Sequence, residues 1–208
     1  MDASAPLTFR LPLIAILRGV RPQEVLAHIE ALVDEGWDAI EIPLNSPDWV
    51  NSIGLALRHF GARALIGAGT VLREADVDAL AGLGARFIVT PNTRAALIGH
   101  AVQRNLPVVA GFATASEAFE AIDAGAQMLK LFPASVFGPP LVQALRAILV
   151  PIPLFVVGGI SPANLPAYIA AGSTGAGIGG ELYKAGQPVE RTRQQAREFK
   201  NVFLECSR

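Results

Sequence analysis

The sequence is poor in cysteine and in charged side chains. Only one of its 208 residues, Cys206, is a cysteine, which excludes an internal disulfide and a zinc site built from thiolates. Charged residues make up 17% and hydrophobic residues 51%, a composition that excludes intrinsic disorder. Lys and Arg number 17 against 18 for Asp and Glu. The chain therefore lacks the basic surplus of a nucleic-acid-binding protein.

Long hydrophobic runs are also missing. Gly, Pro, Arg or Glu interrupts each apolar stretch well before the ~20 residues that a helix needs to cross a bilayer. Residues 1–10 show no basic segment followed by an apolar one, the pattern of a secretion signal. We therefore expect a cytoplasmic protein that binds neither membrane nor nucleic acid, and the single thiol is consistent with a reducing compartment.

What the sequence does contain is short apolar runs that alternate with amphipathic segments. The runs predict eight buried strands over Leu13–Arg18, Ala39–Leu44, Ala64–Thr70, Phe87–Asn92, Pro107–Ala113, Met128–Pro133, Pro153–Gly159 and Thr174–Gly180. Eight such units favour a closed (β/α)8 barrel in one domain, residues 1–208 with a short N-terminal extension over 1–12. An open, doubly wound parallel sheet is the alternative.

The intervening segments carry helix signals. They predict helices over Pro22–Glu35, 47–60, 74–83, 94–104, 139–149 and 188–204. Thr114 and Glu117 have the spacing of a capping box at the start of a further helix. Ser161 and Pro162 match a helix N-cap and first position.

Lys130 is the most informative candidate, because the chain has only three lysines and this one lies inside an apolar strand. Burial lowers the pKa of a lysine toward that of a neutral amine, which a Schiff-base nucleophile requires. Lys130 could instead pair with a buried carboxylate or bind a ligand phosphate.

Glu41 is likewise charged within an apolar strand. A buried carboxyl group with a raised pKa can act as a general acid and base. The alternative is a structural ion pair with Lys130 or Arg18.

Arg18 and Thr70 are the last residues of predicted strands, at the end of the barrel where the active site lies. The Arg18 guanidinium suits a carboxylate or phosphate, although it could simply extend into solvent. Thr70 follows two glycines and could hold a small anion, or it could cap a turn.

Glycine pairs end the last two predicted strands: Gly158 and Gly159, then Gly179 and Gly180. Glycine lets an anion approach the backbone, and barrels often bind phosphate after strands seven and eight. The three histidines, His28, His59 and His100, all fall on predicted helices, which disfavours a histidine-bound metal.

Six segments together resemble the bacterial 2-keto-3-deoxy-6-phosphogluconate/phosphogalactonate aldolase family. They are residues 12–19 (PLIAILRG), 41–47 (EIPLNSP), 66–71 (IGAGTV), 89–92 (VTPN), 129–133 (LKLFP) and 157–161 (VGGIS). The resemblance spans nearly the whole chain and implies a homotrimeric, metal-independent aldolase without an organic cofactor. Its substrate would be a phosphorylated 2-keto-3-deoxy sugar acid.

The resemblance also implies residue roles. Lys130 would form the Schiff base and Glu41 would move protons. Arg18 and Thr70 would bind the carboxylate. Three glycines of the last two strands would bind the phosphate through backbone N–H groups: Gly158, Gly179 and Gly180.

Three positions resemble the galactonate branch of that family. Asn45 stands where the gluconate branch typically has an arginine, Arg18 ends strand one instead, and Val157 stands where that branch usually has threonine. Gly180 departs from both branches, which usually carry serine there, so one hydroxyl contact to phosphate is lost.

Three rival functions stay open. The chain could act on the gluconate epimer or on both epimers. It could be another phosphate-binding barrel enzyme, such as an isomerase or epimerase, or a non-catalytic sugar-phosphate-binding protein.

Overall fold

The computed structural model describes residues 7–207, which form a closed barrel of eight parallel strands, each followed by a helix. Strand order follows the chain, and β8 closes the barrel on β1 through pairs such as Ala15 with Ile178. The predicted (β/α)8 fold is confirmed, and the open sheet is excluded. Residues 1–6 of the predicted N-terminal extension lie outside the described residues.

The elements alternate without exception. The strands are β1 (Leu13–Ile16), β2 (Ala39–Pro43), β3 (Leu65–Gly69), β4 (Ile88–Val89), β5 (Val108–Phe112), β6 (Met128–Leu131), β7 (Leu154–Val157) and β8 (Gly175–Ile178). The helices are α1 (Pro22–Asp34), α2 (Trp49–Phe60), α3 (Glu74–Leu83), α4 (Ala95–Gln103), α5 (Ala115–Asp123), α6 (Ala134–Arg146), α7 (Leu165–Ala170) and α8 (Val189–Cys206).

Two helices begin elsewhere than the sequence predicts. Helix α6 starts directly after β6, and a break at Gly138 (φ 70°) precedes its two prolines, so the prediction of 139–149 missed its first turn. The N-cap of α7 is Asn164 and not Ser161, because residues 161–164 form a turn in which the Ser161 N–H donates to Asn164 Oδ1 at 2.9 Å.

Helices α1 and α5 begin where their sequence signals predict. Pro22 occupies the first position of α1. In α5 the Glu117 N–H donates to Thr114 Oγ1 at 3.3 Å, and the Thr114 N–H donates to Glu117 Oε2 at 2.9 Å. This capping box satisfies donors that a helix start otherwise leaves unpaired.

The apolar residues form two clusters. The larger one lies between the strands and the helices. The smaller one fills the barrel and consists of Ile14, Ala39, Phe87, Val89, Val109, Met128 and Phe155. Phe9 packs against this interior cluster, with ring centroids 5.6 Å from Phe87 and 5.7 Å from Phe155. The described part of the predicted extension therefore closes one end of the barrel.

No helix within residues 7–207 is both long enough and apolar enough to span a membrane.

Candidate active site

The strands direct four side chains into the barrel above its apolar interior. Side chains two residues apart on a strand share a face. Ile16, Glu41, Lys130 and Val157 each follow an interior-cluster residue by two positions. They therefore form the next layer, at the carboxyl ends of the strands, where barrel enzymes carry their active sites.

Lys130 is almost fully buried, with 5% of its surface exposed. It lies on β6 between Gly111 of β5 and Phe155 of β7. Burial lowers the pKa of Lys130, the negative charge of Glu41 opposes this shift, and the positive charge of Arg18 adds to it. Within residues 7–207 no carboxylate oxygen lies within 4.0 Å of the Lys130 ammonium. The geometry therefore argues against an ion pair between Lys130 and a buried carboxylate.

Glu41 lies across the same lumen, with 1% of its surface exposed. Burial raises the pKa of Glu41, while the charges of Lys130 and Arg18 act in the opposite direction. Gly69 of β3 leaves the space for this side chain, because a Cβ atom there would overlap the Glu41 carboxylate. Burial thus favours the neutral form of both groups, an acid and a free amine.

Arg18 lies at the mouth of the barrel, directly after β1. Its Nη1 donates a hydrogen bond to Asn45 Oδ1 at 2.7 Å. Its positive charge acts to lower the pKa of both Lys130 and Glu41, although burial raises the pKa of Glu41. An arginine in this position can hold a carboxylate of a bound ligand.

Thr70 adopts an unusual backbone conformation. Its φ of 57° lies in the left-handed region, which a β-branched residue rarely enters. Such a conformation costs about 1–3 kcal/mol and is found mainly at functional sites. Thr70 directly follows Gly69, so the strained residue adjoins the backbone against which Glu41 packs.

A cavity of about 230 Å³ opens at this end of the barrel. The predicted site residues on its wall are Arg18, Val157, Gly158, Gly159, Gly179 and Gly180. The remaining lining residues are Ile16, Phe132, Ile160, Gly177 and Glu181. The structure therefore brings together the strand-one arginine and both glycine pairs.

The turn after β7 requires glycine. Gly158 and Gly159 have φ values of 97° and 74°. A Cβ atom on Gly159 would also lie 2.6 Å from the Cβ of Ser135. The Gly159 carbonyl accepts a hydrogen bond from Asn164 Nδ2 at 2.8 Å, which fixes the turn beside the cavity.

Gly180 has no comparable packing reason. A Cβ atom at Gly180 would have no neighbouring atom within 4 Å. The absence of a serine hydroxyl is thus a difference in chemistry and not one forced by space.

Sequence reasoning did not select Phe132, whose ring centroid lies 5.1 Å from Lys130 Nζ. The residue was hidden because an aromatic side chain in an apolar run usually belongs to the core. Its spacing was the available signal, since a residue two positions after Lys130 shares the lysine's face.

A larger cleft, of about 790 Å³, lies at the opposite end of the barrel. It contains none of the predicted site residues, whereas the smaller cavity contains six of them, although not Lys130, Glu41 or Thr70. Two arginines of the larger cleft are already paired. Arg10 contacts Asp38 at 3.3 Å and Arg63 contacts Asp34 at 3.3 Å. We therefore place the candidate active site at the smaller cavity.

The histidines lie on α1, α2 and α4, as predicted. Across the described residues, no group of three or more His, Cys, Asp or Glu side chains is arranged to hold a metal ion.

A buried amine opposite a buried carboxyl group, inside a (β/α)8 barrel with an arginine and two glycine pairs at its mouth, is suited to Schiff-base chemistry on a keto acid. Comparison with known proteins supports this class. The family model for KDPG and KHG aldolase matches residues 7–195. The chain belongs to this family of aldolases.

Individual relatives and solved structures are similar to the chain over nearly its whole length. The chain is 54% identical over 198 residues to a 2-dehydro-3-deoxy-6-phosphogalactonate aldolase of Escherichia coli (strain K12), covering 95% of this chain and 97% of the relative. A solved structure described as native KDPGal has 52% identity and a TM-score of 0.96, with 98% and 99% of the two chains covered. A designed cube-shaped cage of fused symmetric oligomeric domains has 54% identity and a TM-score of 0.94 over 95% of this chain and 74% of that one.

Proposed function

We propose that the chain is a class I aldolase that cleaves 2-dehydro-3-deoxy-6-phosphogalactonate to pyruvate and D-glyceraldehyde 3-phosphate. The observation that carries the proposal is the buried Lys130 amine, whose pKa burial lowers, in the same lumen as Glu41. The family membership and the galactonate aldolase name of a relative at 54% identity support it.

The reaction begins at Lys130. Its neutral amine attacks the C2 ketone, and the resulting carbinolamine takes up a proton from solvent and loses water to give an iminium ion. Glu41, as the carboxylate, accepts the proton of the C4 hydroxyl directly or through a water molecule. The C3–C4 bond then breaks, its electron pair moves to the iminium nitrogen as an enamine forms, and glyceraldehyde 3-phosphate leaves.

The second half of the reaction restores both groups. Glu41, now protonated, returns its proton to C3 of the enamine and regenerates an iminium ion. Water adds to that ion and releases pyruvate and the neutral Lys130 amine, and one proton returns to solvent. The iminium accepts the electron pair in this scheme, so the residues need no metal or organic cofactor for carbon–carbon cleavage.

The remaining site residues orient the substrate. Arg18 and Thr70 hold the carboxylate, and the backbone N–H groups of Gly158, Gly159, Gly179 and Gly180 approach the phosphate. Val157, which lines the cavity, lies near the C4 hydroxyl and influences which epimer fits. Such positioning supplies a large share of the rate acceleration in enzymes of this kind.

Purified protein should be offered both epimers as the test of substrate. We expect faster cleavage of the phosphogalactonate, because Arg18, Asn45 and Val157 all match the galactonate pattern. A larger kcat/KM for the phosphogluconate would overturn the epimer assignment. Failure to cleave either one would overturn the aldolase assignment and favour an isomerase, epimerase or sugar-phosphate-binding protein.

We further propose a cytoplasmic homotrimer. Large apolar side chains are exposed at Val136, Ile148 and Val150, and a structural relative serves as a symmetric oligomeric domain in a designed cage. Contact between copies would remove such side chains from water. Sedimentation equilibrium should give three times the chain mass, and a monomer would contradict the assembly.

A further inference from the structure

The loops after β1 and β2 are joined by two parallel hydrogen bonds. Arg18 Nη1 donates to Asn45 Oδ1 at 2.7 Å, and the neighbouring Gly19 N–H donates to Ser46 Oγ at 2.9 Å. Asn45 lies in a tight turn closed by a hydrogen bond of 2.9 Å from the Ser46 N–H to the Pro43 carbonyl. The backbone that carries the Asn45 amide is therefore held in place.

Arg18 needs such a partner because its side chain is exposed at the mouth of the barrel. A long, exposed arginine samples many rotamers, and ordering it on ligand binding costs side-chain entropy. A hydrogen bond that already selects one rotamer in the free protein removes part of this cost.

We propose that Asn45 is a positioning residue, which holds the Arg18 guanidinium where it receives the carboxylate of the pyruvate unit bonded to Lys130. The inference rests on the proposed aldolase function and adds a residue to its substrate-binding machinery. Asn45 acts only through Arg18.

The chemical type of residue 45 fits this role. A neutral amide orients the guanidinium and leaves its positive charge available to the substrate. A carboxylate at the same place would form an ion pair with Arg18 and neutralise it. The charge matters to the neighbours too, since Arg18 lowers the pKa of both Lys130 and Glu41.

The position of Asn45 in the chain links substrate positioning to proton transfer. Asn45 follows Glu41 by four residues on the segment that leaves β2. One short stretch thereby supplies the proton-transfer group and the residue that orients the carboxylate anchor.

A double-mutant cycle tests the inference. The measured quantity is the pyruvate concentration that gives half-maximal trapping by borohydride in the full-length protein. We expect Asn45→Ala to raise it about tenfold, the loss expected for a hydrogen bond to a charged group. Arg18→Ala should raise it further, and the double variant should match Arg18→Ala alone. Asn201→Ala, which changes an exposed asparagine on α8, should leave it unchanged.

Asn45→Asp supplies a second readout that a merely structural role would not move. The new carboxylate should raise the pKa of Lys130, so trapping should require higher pH than in the parent. Thermal unfolding of each variant would check that it folds.

Several outcomes would overturn the inference. Additive losses in the cycle would mean that Asn45 acts independently of Arg18. An unchanged half-saturation in Asn45→Ala, or an unshifted pH profile in Asn45→Asp, would also reject it. A parent protein that forms no pyruvate adduct would overturn the proposed function and the inference together, whereas additive losses with an intact adduct would overturn the inference alone.

Discussion

At the scale of single residues, burial acts on Lys130 and Glu41 in complementary directions. Desolvation disfavours both charged forms, so the pKa of the amine falls and the pKa of the carboxyl group rises. The charge of each group opposes this shift in the pKa of the other. Catalysis needs an amine that can attack and a carboxyl group that can both accept and return a proton.

Replacing Glu41 with Gln should separate the two steps. Cleavage of the sugar acid should fall about 10²–10⁴-fold, the usual contribution of general acid–base catalysis, while pyruvate trapping continues. Removal of the negative charge should lower the pKa of Lys130 further, so trapping should begin at lower pH. Trapping rates measured against the parent at each pH give both results.

Glu181→Gln is the matched control, because Glu181 is an exposed carboxylate on the wall of the cavity at the same end of the barrel. It should leave the pH profile of trapping in place. An equal loss of trapping and cleavage in Glu41→Gln would show that Glu41 is needed only for structure.

Thr70 combines a strained backbone with a proposed role in carboxylate binding, and substitution by glycine should separate the two. Thr70→Gly should raise the free energy of unfolding by about 1 kcal/mol, because glycine accepts a φ of 57° without steric cost. The same change should weaken pyruvate binding through loss of the hydroxyl. Urea unfolding and pyruvate trapping measure the two effects, and Thr70→Ser should keep much of the binding. Unweakened binding in Thr70→Gly would remove Thr70 from the site.

At the scale of elements, short sequence signals determine where the helices around the barrel begin, and α5 is the clearest example. The capping box of α5 is complete, and the neighbouring Ala113 N–H donates to the same Glu117 carboxylate at 3.0 Å. These hydrogen bonds lower the pKa of Glu117. Stability at this helix start is therefore present at neutral pH and decreases as acid protonates Glu117.

Thr114→Ala should lower the free energy of unfolding by about 1 kcal/mol, the typical cost of losing an N-cap side chain. Ser116→Ala, at an exposed position two residues further on, should change it little. Chemical denaturation of both variants tests the prediction. Equal stability of the two variants would contradict it.

The sequence predicted the type and order of all sixteen elements, because period and punctuation act locally. It extended several strands too far at their carboxyl ends. Thr90 shows why, since it is fully buried yet lies beyond β4, with its hydroxyl accepting from the Gly111 N–H at 3.1 Å. Burial alone does not distinguish a strand from a buried loop.

The sequence also predicted only part of the candidate site. Lys130 and Glu41 stood out because a charge inside an apolar strand is unusual. Phe132 and the hydrogen bond from Arg18 to Asn45 did not, because both depend on where side chains meet across the barrel. The family membership predicted from the six motifs is confirmed.

At the scale of the whole molecule, the barrel collects residues from six strands or their following loops at one end. Lys130 and Glu41 are contributed by β6 and β2, and Arg18, Thr70 and the glycine pairs follow β1, β3, β7 and β8. Closure of the barrel thus creates a site that no single strand–helix unit contains. The site also buries a carboxyl group and an amine in one lumen, and the desolvation of both groups costs folding stability.

That cost should appear in the pH dependence of global stability. The pKa of Glu41 is higher in the folded chain than its ordinary value, so its contribution is present at low pH and is lost as pH rises through the folded-state pKa. Glu41→Gln should therefore gain stability relative to the parent over that rise and converge with it below the ordinary pKa. Urea unfolding across pH would measure the difference, and a difference that shrinks with rising pH would contradict the account.

The most direct measurement is the site of a covalent pyruvate adduct. The protein is incubated with pyruvate and borohydride, weighed intact and then digested for peptide mapping. We predict one reduced adduct per chain on Lys130, retained in Lys184→Met and absent in Lys130→Met. An adduct on another lysine, or none in the parent, would contradict the assignment of Lys130 as the Schiff-base residue.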